Sequence, residues 1–378
     1  MKILMVSMPS LHFFRWTEQL QDAGHDIYWF NVTDSGEYTK RMDWINQCYG
    51  WRLKWDFPGR IRLKASFPKL NKFIEKFNTN ATEEAFETYL KKVQPDVVHS
   101  FALYVSCRPI LNTMKKYPNL KWVYSSWGSD LFYYQNIPNY LKDIKAVLPR
   151  IQYLFTDCKR DYKIAQKHGF KGEFLGVYPG GGGFKFDLQQ ELKQPPQRHS
   201  ILIKGFQGRS GKAIEILKAI QHHKNELLDY NIIVFGAQNE VIDFAKKKNI
   251  FAWTNFKIMG RIPHEEVLKL MQAAKIYIGN SNSDGIPNTM LEAICYGAFP
   301  IQSNPGGATA EVIKHNQNGL LIEDCDDTNE IFSHIKLAIN DKDLIKNAYQ
   351  ENLKIRSDYE YQIVKAKVLK TYQNLKPS

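Results

Sequence analysis

Short apolar runs alternate with amphipathic stretches along most of the chain. Residues 2–7 (KILMVS) predict a buried strand, the pattern from Phe13 to Ala23 predicts a helix that ends at Gly24, and HDIYWFNV predicts a second strand. The same alternation resumes at DVVHSFA, WVYSS and YLFTDC. Strands that alternate with helical segments are typical of βαβ units, so the first half of the chain predicts a parallel sheet.

The alternation is interrupted once and then starts again. Residues 189–200 (QQELKQPPQRHS) are polar, lack periodicity and contain a Pro-Pro pair, which predicts an interdomain linker. Beyond them, the strand patterns SILIKG, YNIIVFG, KIYIGNS, FPIQSN and GLLI alternate with helical patterns. We therefore predict an α/β protein with two Rossmann-like parallel-sheet domains, residues 1–188 and 201–355, facing a central cleft. A C-terminal helix within 356–378 is expected to return to the first domain.

Composition limits the class of protein. The chain has 378 residues, of which 43% are apolar, and this is enough for two buried cores. The five cysteines are widely spaced and form no CxxC pair, which argues against a disulfide framework or a zinc ribbon and favours a reducing compartment. His12 and Arg15 come too early for the apolar core of a signal peptide, and no apolar run approaches the ~18 residues of a membrane-spanning helix. We expect a soluble, cytoplasmic protein.

The chain is basic, with a formal net charge of +12. Nucleic acid, an anionic membrane surface or a phosphorylated substrate would each suit such a charge, and a solvated basic surface is the alternative. Residues 38–72 contain nine Lys and Arg against Asp43 and Asp56, with aromatic residues between them. Such a segment suits a membrane interface or a charged acceptor, and also single-stranded nucleic acid. Packing of its aromatic rings on the core is equally compatible with the pattern.

The densest candidate for chemistry is the string 283–293 (SDGIPNTMLEA), which follows a predicted strand and opens a helix. Gly285 permits a close backbone approach, and Pro287 suits the first helical turn. A helix N-terminus favours a diphosphate, and the carboxylates of Asp284 and Glu292 could flank an elongated ligand. The backbone N–H groups expected to face that ligand belong to Asn288, Thr289 and Met290.

This string resembles the E-x7-E motif of the retaining glycosyltransferases of the GT-B fold, family 4 (glycosyl transferases group 1), which commonly reads E-G-x-P-N-x-x-x-E-A. Residues 260–267 (GRIPHEEV) are similar to the segment that precedes this motif in the family. Residues 299–311 and 318–321 (NGLL) are similar to the segments that follow it. The resemblance therefore covers most of the second domain and implies the GT-B fold.

The resemblance also implies a substrate and roles for residues. A nucleoside-diphosphate sugar, UDP- or GDP-linked, would be held by the C-terminal domain, with Glu292 on the ribose hydroxyls. Asp284, Gly285 and Ile286 would face the sugar, and Asp284 replaces the Glu that usually opens the motif. The implied donor-binding set is Lys204, Gly285, Ile286, Pro287, Asn288, Thr289, Met290 and Glu292.

A second candidate is the glycine-rich basic loop 204–212 (KGFQGRSGK). Such a loop before a helix suits phosphate binding. It is not a P-loop, because Phe206 stands where Gly is required and Ala213 offers no hydroxyl to Mg²⁺. In the resembling family this loop supplies an Arg and a Lys to the donor diphosphate. The sequence leaves three cations as candidates: Lys204, Arg209 and Lys212.

Four residues of the first domain are further candidates. His99 ends a predicted strand, where similar enzymes carry a His near the transferred sugar; a His packed against its neighbours is the alternative. His12 follows the first strand, in the loop that contacts acceptor or donor in related proteins. Trp127 and Asp130 (WGSD) resemble a W/H-G-x-D string of the family, and Asp130 could equally be a helix N-cap.

The expected activity is transfer of a hexosyl or N-acetylhexosaminyl group from the donor to a hydroxyl of a saccharide or lipid-linked acceptor, in cell-surface polysaccharide or glycolipid synthesis. The catalytic candidates are Asp284, His99, Lys212 and Arg209. No cofactor is expected. No metal site is predicted either, on the expectation that the chain has neither a metal-binding histidine spacing nor a D-x-D string that marks a divalent-ion site. An epimerase or a phosphorylase of the same fold is an alternative, as is a basic nucleic-acid-binding protein, although no helix-turn-helix, RRM or KH signature is present.

Overall fold

The computed structural model describes residues 1–375, which form two compact units. The first unit contains Met1–Thr156, Tyr162–Gly182 and the chain from Lys367 onward. The second contains Gly183–Ala366 together with the short segment Asp157–Asp161. The predicted first boundary, at residue 188, lies beyond Gly182, and the predicted linker 189–200 falls within the second unit. The domain limits given above otherwise remain predictions.

The first unit is built on a seven-stranded parallel sheet in the order β3-β2-β1-β4-β5-β6-β7. Its strands are β1 Lys2–Ser7, β2 Asp26–Asn31, β3 Asn46–Cys48, β4 Val97–Phe101, β5 Lys121–Ser125, β6 Tyr153–Thr156 and β7 Glu173–Val177. The helices that accompany them are α1 Leu11–Glu18, α2 Arg60–Ser66, α3 Pro68–Asn78, α4 Thr82–Val93, α5 Leu111–Lys116, α6 Ser129–Phe132, α7 Pro138–Val147 and α8 Lys159–Lys167.

The second unit is built on a six-stranded parallel sheet in the order β10-β9-β8-β11-β12-β13. Its strands are β8 Ser200–Lys204, β9 Asn231–Phe235, β10 Phe256–Ile258, β11 Ala274–Gly279, β12 Phe299–Ser303 and β13 Leu320–Ile322. The remaining helices are α9 Ala213–Gln221, α10 Asn239–Lys247, α11 His264–Ala273, α12 Asn288–Cys295, α13 Thr328–Asn340, α14 Lys342–Arg356 and α15 Tyr361–Asn374. Two parallel Rossmann-like sheets confirm the predicted fold class.

The strand order fixes where a ligand site can lie. In the second sheet the chain runs outward from β8 through β9 to β10, and then returns to the other side of β8 at β11. In open α/β sheets, ligands bind outside the carboxyl ends of the strands at such a reversal. The loops that follow β8 and β11 therefore flank the expected site of this unit. In the first sheet the same reversal lies between β1 and β4.

Apolar strands explain why both sheets form. The central strands are covered on both faces, so their apolar residues form continuous runs and do not alternate with polar ones. Ile201, Leu202 and Ile203 of β8 are all fully buried, as are Val97 and Val98 of β4. This is the pattern that made these strands predictable. β3, β7 and β10 lie at or near sheet edges, carry weaker patterns and are not among the predicted strands.

Two features of the chain concern two separate sequence predictions, the location of the protein and the interdomain linker. Among residues 1–375, every helix falls short of the length and apolar character needed to cross a bilayer. Within the predicted linker, Arg198 is buried and donates hydrogen bonds to the carbonyls of Ala274 and Tyr296. That part of the segment is thus tied to the second unit.

Residues 38–72 divide into two parts with different surroundings. Trp51 stacks on Phe30 with ring centroids 5.1 Å apart and donates its indole N–H to the carbonyl of Asn31. For Trp51, the packing alternative is therefore correct. The later part of the segment forms α2 and the beginning of α3, whose apolar side chains are exposed.

Candidate active site

Backbone hydrogen bonds join the two loops that flank the strand reversal of the second unit. The N–H of Lys212 donates to the carbonyl of Asn280 at 3.0 Å, and the N–H of Asn282 donates to the carbonyl of Ser210 at 2.9 Å. The basic loop after β8 and the loop that leads from β11 into α12 are therefore held side by side. The structure thus brings together the two sequence motifs predicted to bind a donor.

A buried carboxylate lies on the first turns of α12. The exposed fraction of Glu292 is only 4%, and its Oε1 lies 2.8 Å from Nε2 of His264, which begins α11. One turn earlier, Thr289 Oγ1 accepts a hydrogen bond from the buried hydroxyl of Tyr277 on β11. Packing of α11 and β11 therefore fixes this face of α12. His264 was not among the predicted site residues, although it lies in the GRIPHEEV string that carries the family resemblance.

The loop before α12 is packed tightly around Gly285. A Cβ at this position would lie only 2.1–2.4 Å from the carboxyl atoms of Asp157, so no larger residue fits without movement. The adjacent Asp284 accepts a hydrogen bond from the N–H of Gly285 at 3.0 Å. Asp157 was also missed by the sequence prediction, because its approach to Gly285 is a contact between distant parts of the chain.

Three details of this motif differ from the sequence prediction. Pro287 is the N-cap of α12, with ψ of 119°, and does not lie in its first turn. The N–H of Met290 donates to the carbonyl of Pro287 at 3.0 Å, so it is used within the helix and does not face a ligand. The Met290 side chain is fully buried in the core because this face of α12 covers the sheet. Asn288 and Thr289 are the remaining candidates among the predicted N–H donors.

The three candidate cations of the basic loop have different environments. Lys212 forms an ion pair with Asp326, with Nζ 2.6 Å from Oδ1, and this hydrogen bond raises the pKa of the lysine. Lys204 ends β8, and its Nζ lies 5.7 Å from the ring centre of Phe206. Arg209 is exposed and follows Gly208, whose φ is +111°. Of the three, Lys212 has its backbone tied directly to the loop after β11.

The predicted acceptor-side residues of the first unit lie near the carboxyl ends of its strands. The rings of His12 and Trp127 have their centroids 5.8 Å apart. Asp130 is buried, and it accepts hydrogen bonds from the N–H groups of Leu103 and Trp127 and from the hydroxyl of Tyr124. Burial raises the pKa of Asp130 in spite of these bonds. The N-cap of α6 is Gly128, so Asp130 is not the N-cap of this helix. The carboxylate of Asp130 instead connects neighbouring segments of the first unit through these hydrogen bonds.

His99 lies in a buried polar network. It has no exposed surface, its Nδ1 lies 2.6 Å from the hydroxyl of Tyr372 and its Nε2 lies 2.8 Å from Oγ of Ser125. The Tyr372 hydroxyl also accepts a hydrogen bond from the indole of Trp16. Burial lowers the pKa of His99 to about 3, which keeps the ring neutral. This is the environment of a packed histidine, and the role of His99 near a transferred sugar stays a prediction.

Two groups in the described chain bring three possible metal ligands within 4.8 Å of one another: Asp157, Cys158 and Asp161, and Asp324, Cys325 and Asp326. In the buried group, Asp161 already pairs with Arg160. In the exposed group, Asp326 pairs with Lys212. The second group is a D-x-D string, so the expectation that the chain contains none is wrong. We assign a metal to neither group.

Comparisons with known proteins agree with this geometry. The family model for glycosyl transferases group 1 matches residues 188–354. This match covers less than half of the chain. It contains both the basic loop and the α12 motif of the candidate site. Neither this match nor the relatives described next favour the epimerase, phosphorylase or nucleic-acid-binding alternatives.

One curated relative comes from Campylobacter jejuni. It is named GalNAc-α-(1→4)-GalNAc-α-(1→3)-diNAcBac-PP-undecaprenol α-1,4-N-acetyl-D-galactosaminyltransferase, and it is 27% identical to this chain over 183 residues. The match covers 47% of this chain and 48% of the relative, so it spans about half the length of that protein. The likeness therefore concerns part of each chain.

Solved structures share the fold over almost the whole chain. A sucrose-phosphate synthase from Thermosynechococcus elongatus is 16% identical, with a TM-score of 0.72, and the match covers 99% of this chain and 98% of that one. HepE from Anabaena, solved with UDP-glucose, is 11% identical, with a TM-score of 0.70 and coverage of 99% and 100%. A glycosyltransferase from Rickettsia africae is 16% identical, with a TM-score of 0.66 and coverage of 99% and 98%. At these identities, the likeness concerns the fold.

The buried carboxyl of Asp157 predicts a pH dependence of stability. Burial, followed by the nearby charge of Asp161, raises its pKa well above the usual value, so the folded protein binds this proton more tightly than the unfolded chain does. The resulting stabilisation is complete below about pH 4 and is lost as the pH rises through the raised pKa. We expect Asp157→Asn to weaken the fall in melting temperature that follows as the pH rises above about 4.

The control is Asp56→Asn, at an exposed aspartate paired with Arg60, which should leave that pH slope unchanged. Melting curves recorded by circular dichroism across the pH series measure both variants. Identical slopes for the parent and Asp157→Asn would show that Asp157 does not titrate abnormally.

Proposed function

We propose that the chain is a metal-independent retaining glycosyltransferase of family 4 that uses a UDP- or GDP-linked sugar. The donor would lie at the strand reversal of the second unit, between the basic loop and the N-terminus of α12. The observation that carries the proposal is the pair of backbone hydrogen bonds that holds these two loops together beside the buried Glu292. Cations, helix N–H groups and a carboxylate are then within one site, as a nucleoside-diphosphate sugar requires.

The proposed chemistry follows from the leaving group. Departure of the nucleoside diphosphate breaks the bond between the anomeric carbon and the phosphate oxygen, and negative charge develops on that phosphate. Lys212, with Arg209 or Lys204 and the α12 N-terminus, would stabilise this charge in the transition state. The acceptor hydroxyl would form the new bond on the same face of the sugar, and its proton would pass to the leaving phosphate.

Two carboxylates have separate proposed roles. Asp284 would face the sugar and stabilise its oxocarbenium-like character, while Glu292 would bind the ribose hydroxyls. Because Oε1 of Glu292 lies 2.8 Å from His264, that side chain is held in one orientation before the ribose arrives. His264 is thus a positioning residue in this proposal, which does not rest on the predicted role of His99.

The acceptor is proposed to be a saccharide or a lipid-linked saccharide, with a hexosyl or N-acetylhexosaminyl group as the transferred unit. The support is the name of the Campylobacter relative, which describes an undecaprenol-linked oligosaccharide and an N-acetylgalactosaminyl transfer. His12 and Trp127 are the proposed acceptor contacts. Such a substrate fits a protein at the cytoplasmic face of the cell membrane.

A donor panel tests the proposal. The purified chain is incubated with UDP-, GDP-, ADP- and dTDP-sugars, and both the melting temperature and the release of nucleotide are measured. We expect one donor class to raise the melting temperature, because a ligand that binds the folded state stabilises it. Release should also persist in EDTA. Full loss of release in EDTA would overturn metal independence, and turnover of the donor sugar without nucleotide release would indicate an epimerase.

Glu292→Gln tests the residue assignment within the same assay. A lost hydrogen bond to a charged group typically amounts to about 1.5–3 kcal/mol, so we expect kcat/KM for the donor to fall about 10- to 100-fold. Glu265→Gln, at an exposed glutamate next to His264 on α11, is the matched control and should retain parental activity. Parental activity of Glu292→Gln would remove Glu292 from the donor site.

A further inference from the structure

Large apolar side chains are exposed on two consecutive helices of the first unit. The exposed fractions are 78% for Ile61 on α2, 60% for Phe67 between the helices, and 50%, 59% and 63% for Leu70, Phe73 and Phe77 on α3. We call these five residues the α2–α3 face. Isolated exposed apolar residues are ordinary, but contiguous ones usually mark an interaction site.

The two faces of helix α3 are arranged opposite to those of an ordinary surface helix, which buries its apolar side chains and exposes its polar ones. Leu70, Phe73 and Phe77 recur at i, i+3 and i+7, so they form one stripe, and that stripe is exposed. The buried residues of α3 are Asn71 and Asn78, which are polar. Asn78 exchanges two hydrogen bonds with the backbone of Trp55, at 2.9 and 2.7 Å. The helix is therefore attached to the protein by its polar side, and its apolar side is left for another partner.

The surroundings of the apolar stripe are strongly basic. Lys69, Lys72 and Lys76 repeat with the same spacing and form an exposed stripe next to it. Residues 60–77 contain six Lys and Arg and a single acidic residue, Glu75. Glu75 is already engaged, since it accepts a hydrogen bond from Asn71. Arg60 pairs with Asp56 outside this segment, which leaves five cations against Glu75 and therefore a net positive charge beside the stripe.

We infer that the α2–α3 face docks the protein on an anionic lipid bilayer. Apolar side chains flanked by lysines on a helix that lies in the membrane plane are the features of an interfacial helix. The rings would enter the boundary between headgroups and acyl chains, and the lysines would contact anionic headgroups. The sequence predicts this contact for residues 38–72, where Tyr38, Tyr49 and Trp55 are also exposed. We assign it to residues 61–77 because the exposed apolar side chains there lie on two consecutive helices.

Charge distinguishes this partner from a second copy of the chain. A symmetric pairing of two such faces would bring lysine stripes of like charge together, which is unfavourable, whereas an anionic headgroup layer neutralises them. Nucleic acid is another possible partner for this surface. Leu70 of the stripe and Ile61 of α2 are aliphatic, and aliphatic side chains offer nucleic-acid bases no ring to stack on. A bilayer thus accounts for both the apolar and the basic part of the surface.

Vesicle sedimentation tests the inference with the full chain. Vesicles of phosphatidylcholine alone are compared with vesicles that also contain phosphatidylglycerol, at low and high salt. We expect retention on the anionic vesicles, little on the neutral ones, and release by salt. The triple variant Leu70→Gln, Phe73→Gln, Phe77→Gln should lower the bound fraction at least tenfold, and because these side chains are exposed the fold should persist.

The matched control replaces three exposed apolar residues elsewhere, in Leu228→Gln, Phe251→Gln and Leu337→Gln, and should bind as the parent does. Equal retention on both vesicle types, or unchanged binding of the Leu70, Phe73, Phe77 variant, would overturn the inference. Concentration-dependent dimerisation or oligonucleotide binding without vesicle binding would instead identify a second copy or a nucleic acid.

The inference does not depend on the proposed sugar transfer. Nucleotide release from a soluble donor should be the same in the triple variant and the parent, because the α2–α3 face is absent from the donor site. Failure of vesicle binding with normal nucleotide release would therefore reject docking alone, and the reverse result would reject the enzymatic proposal alone.

Discussion

Replacing Gly285 by Ala should lower donor turnover at least a hundredfold and destabilise the second unit. The added Cβ would lie 2.1–2.4 Å from the carboxyl group of Asp157, which is itself buried. Either the loop or Asp157 must move, and overpacking of this kind typically destabilises by about 1–3 kcal/mol. A displacement of about 1 Å at Asp284 is enough to reduce catalysis by about a hundredfold. Melting temperature and nucleotide release measure the two effects.

A second substitution should reverse the first. Asp157→Ala removes the three carboxyl atoms that the new Cβ would meet, so the double variant should recover much of the melting temperature lost in Gly285→Ala. Gly260→Ala is the matched control, because its Cβ would meet only the carbonyl of Ala237 at 3.8 Å. If Gly285→Ala is as stable and active as Gly260→Ala, Asp157 does not constrain the loop.

Lys212→Met should reduce kcat for donor turnover by about a hundred- to a thousandfold, the usual loss when a group that stabilises developing negative charge is removed. Lys212 is preferred over the other two cations because its backbone N–H is bonded to Asn280, immediately after β11. Arg209→Met should have less than a tenfold effect, since Arg209 is exposed on the turn after Gly208. Steady-state nucleotide release gives both numbers.

The control for this series is Lys218→Met, on α9 one and a half turns beyond Lys212, where the lysine pairs with Glu215. It removes the same charge from the same unit and should leave kcat unchanged. A larger loss in Arg209→Met than in Lys212→Met would transfer the diphosphate contact to the exposed arginine.

The central strands could be predicted from the sequence because the hydrophobic pattern that defines each of them lies within a few consecutive residues. β1 (KILMVS), β8 (SILIK) and the first part of β4 (VVHSF) contain continuous apolar runs, and this pattern is typical of strands that are covered on both faces of a sheet. β3 (NQC) lacks an apolar run and β10 (FKI) has a lysine at its centre, so neither pattern distinguishes a strand from a loop.

The candidate site was predictable where its residues are close in sequence. The string 283–293 keeps its carboxylates, glycine and helix start within one segment, so their chemistry can be read together. Asp157 could not be found in this way, because only tertiary packing brings it to Gly285. The exposure of the apolar stripe of α3 could not be predicted from the sequence, for a related reason. Periodicity shows that Leu70, Phe73 and Phe77 share a face, but only the folded chain shows that this face is turned outward.

The ion pair between Lys212 and Asp326 means that the basic loop carries its own counter-ion. An arriving diphosphate would exchange with a carboxylate and would not meet a bare ammonium group, so the change in net charge at this lysine on binding is small. Simple anions such as chloride or sulfate would gain little binding energy at this site, because they must displace the carboxylate of Asp326, whose Oδ1 lies 2.6 Å from Nζ of Lys212. In the proposed donor site, this ion pair would favour a ligand with many contacts over the small ions of its surroundings.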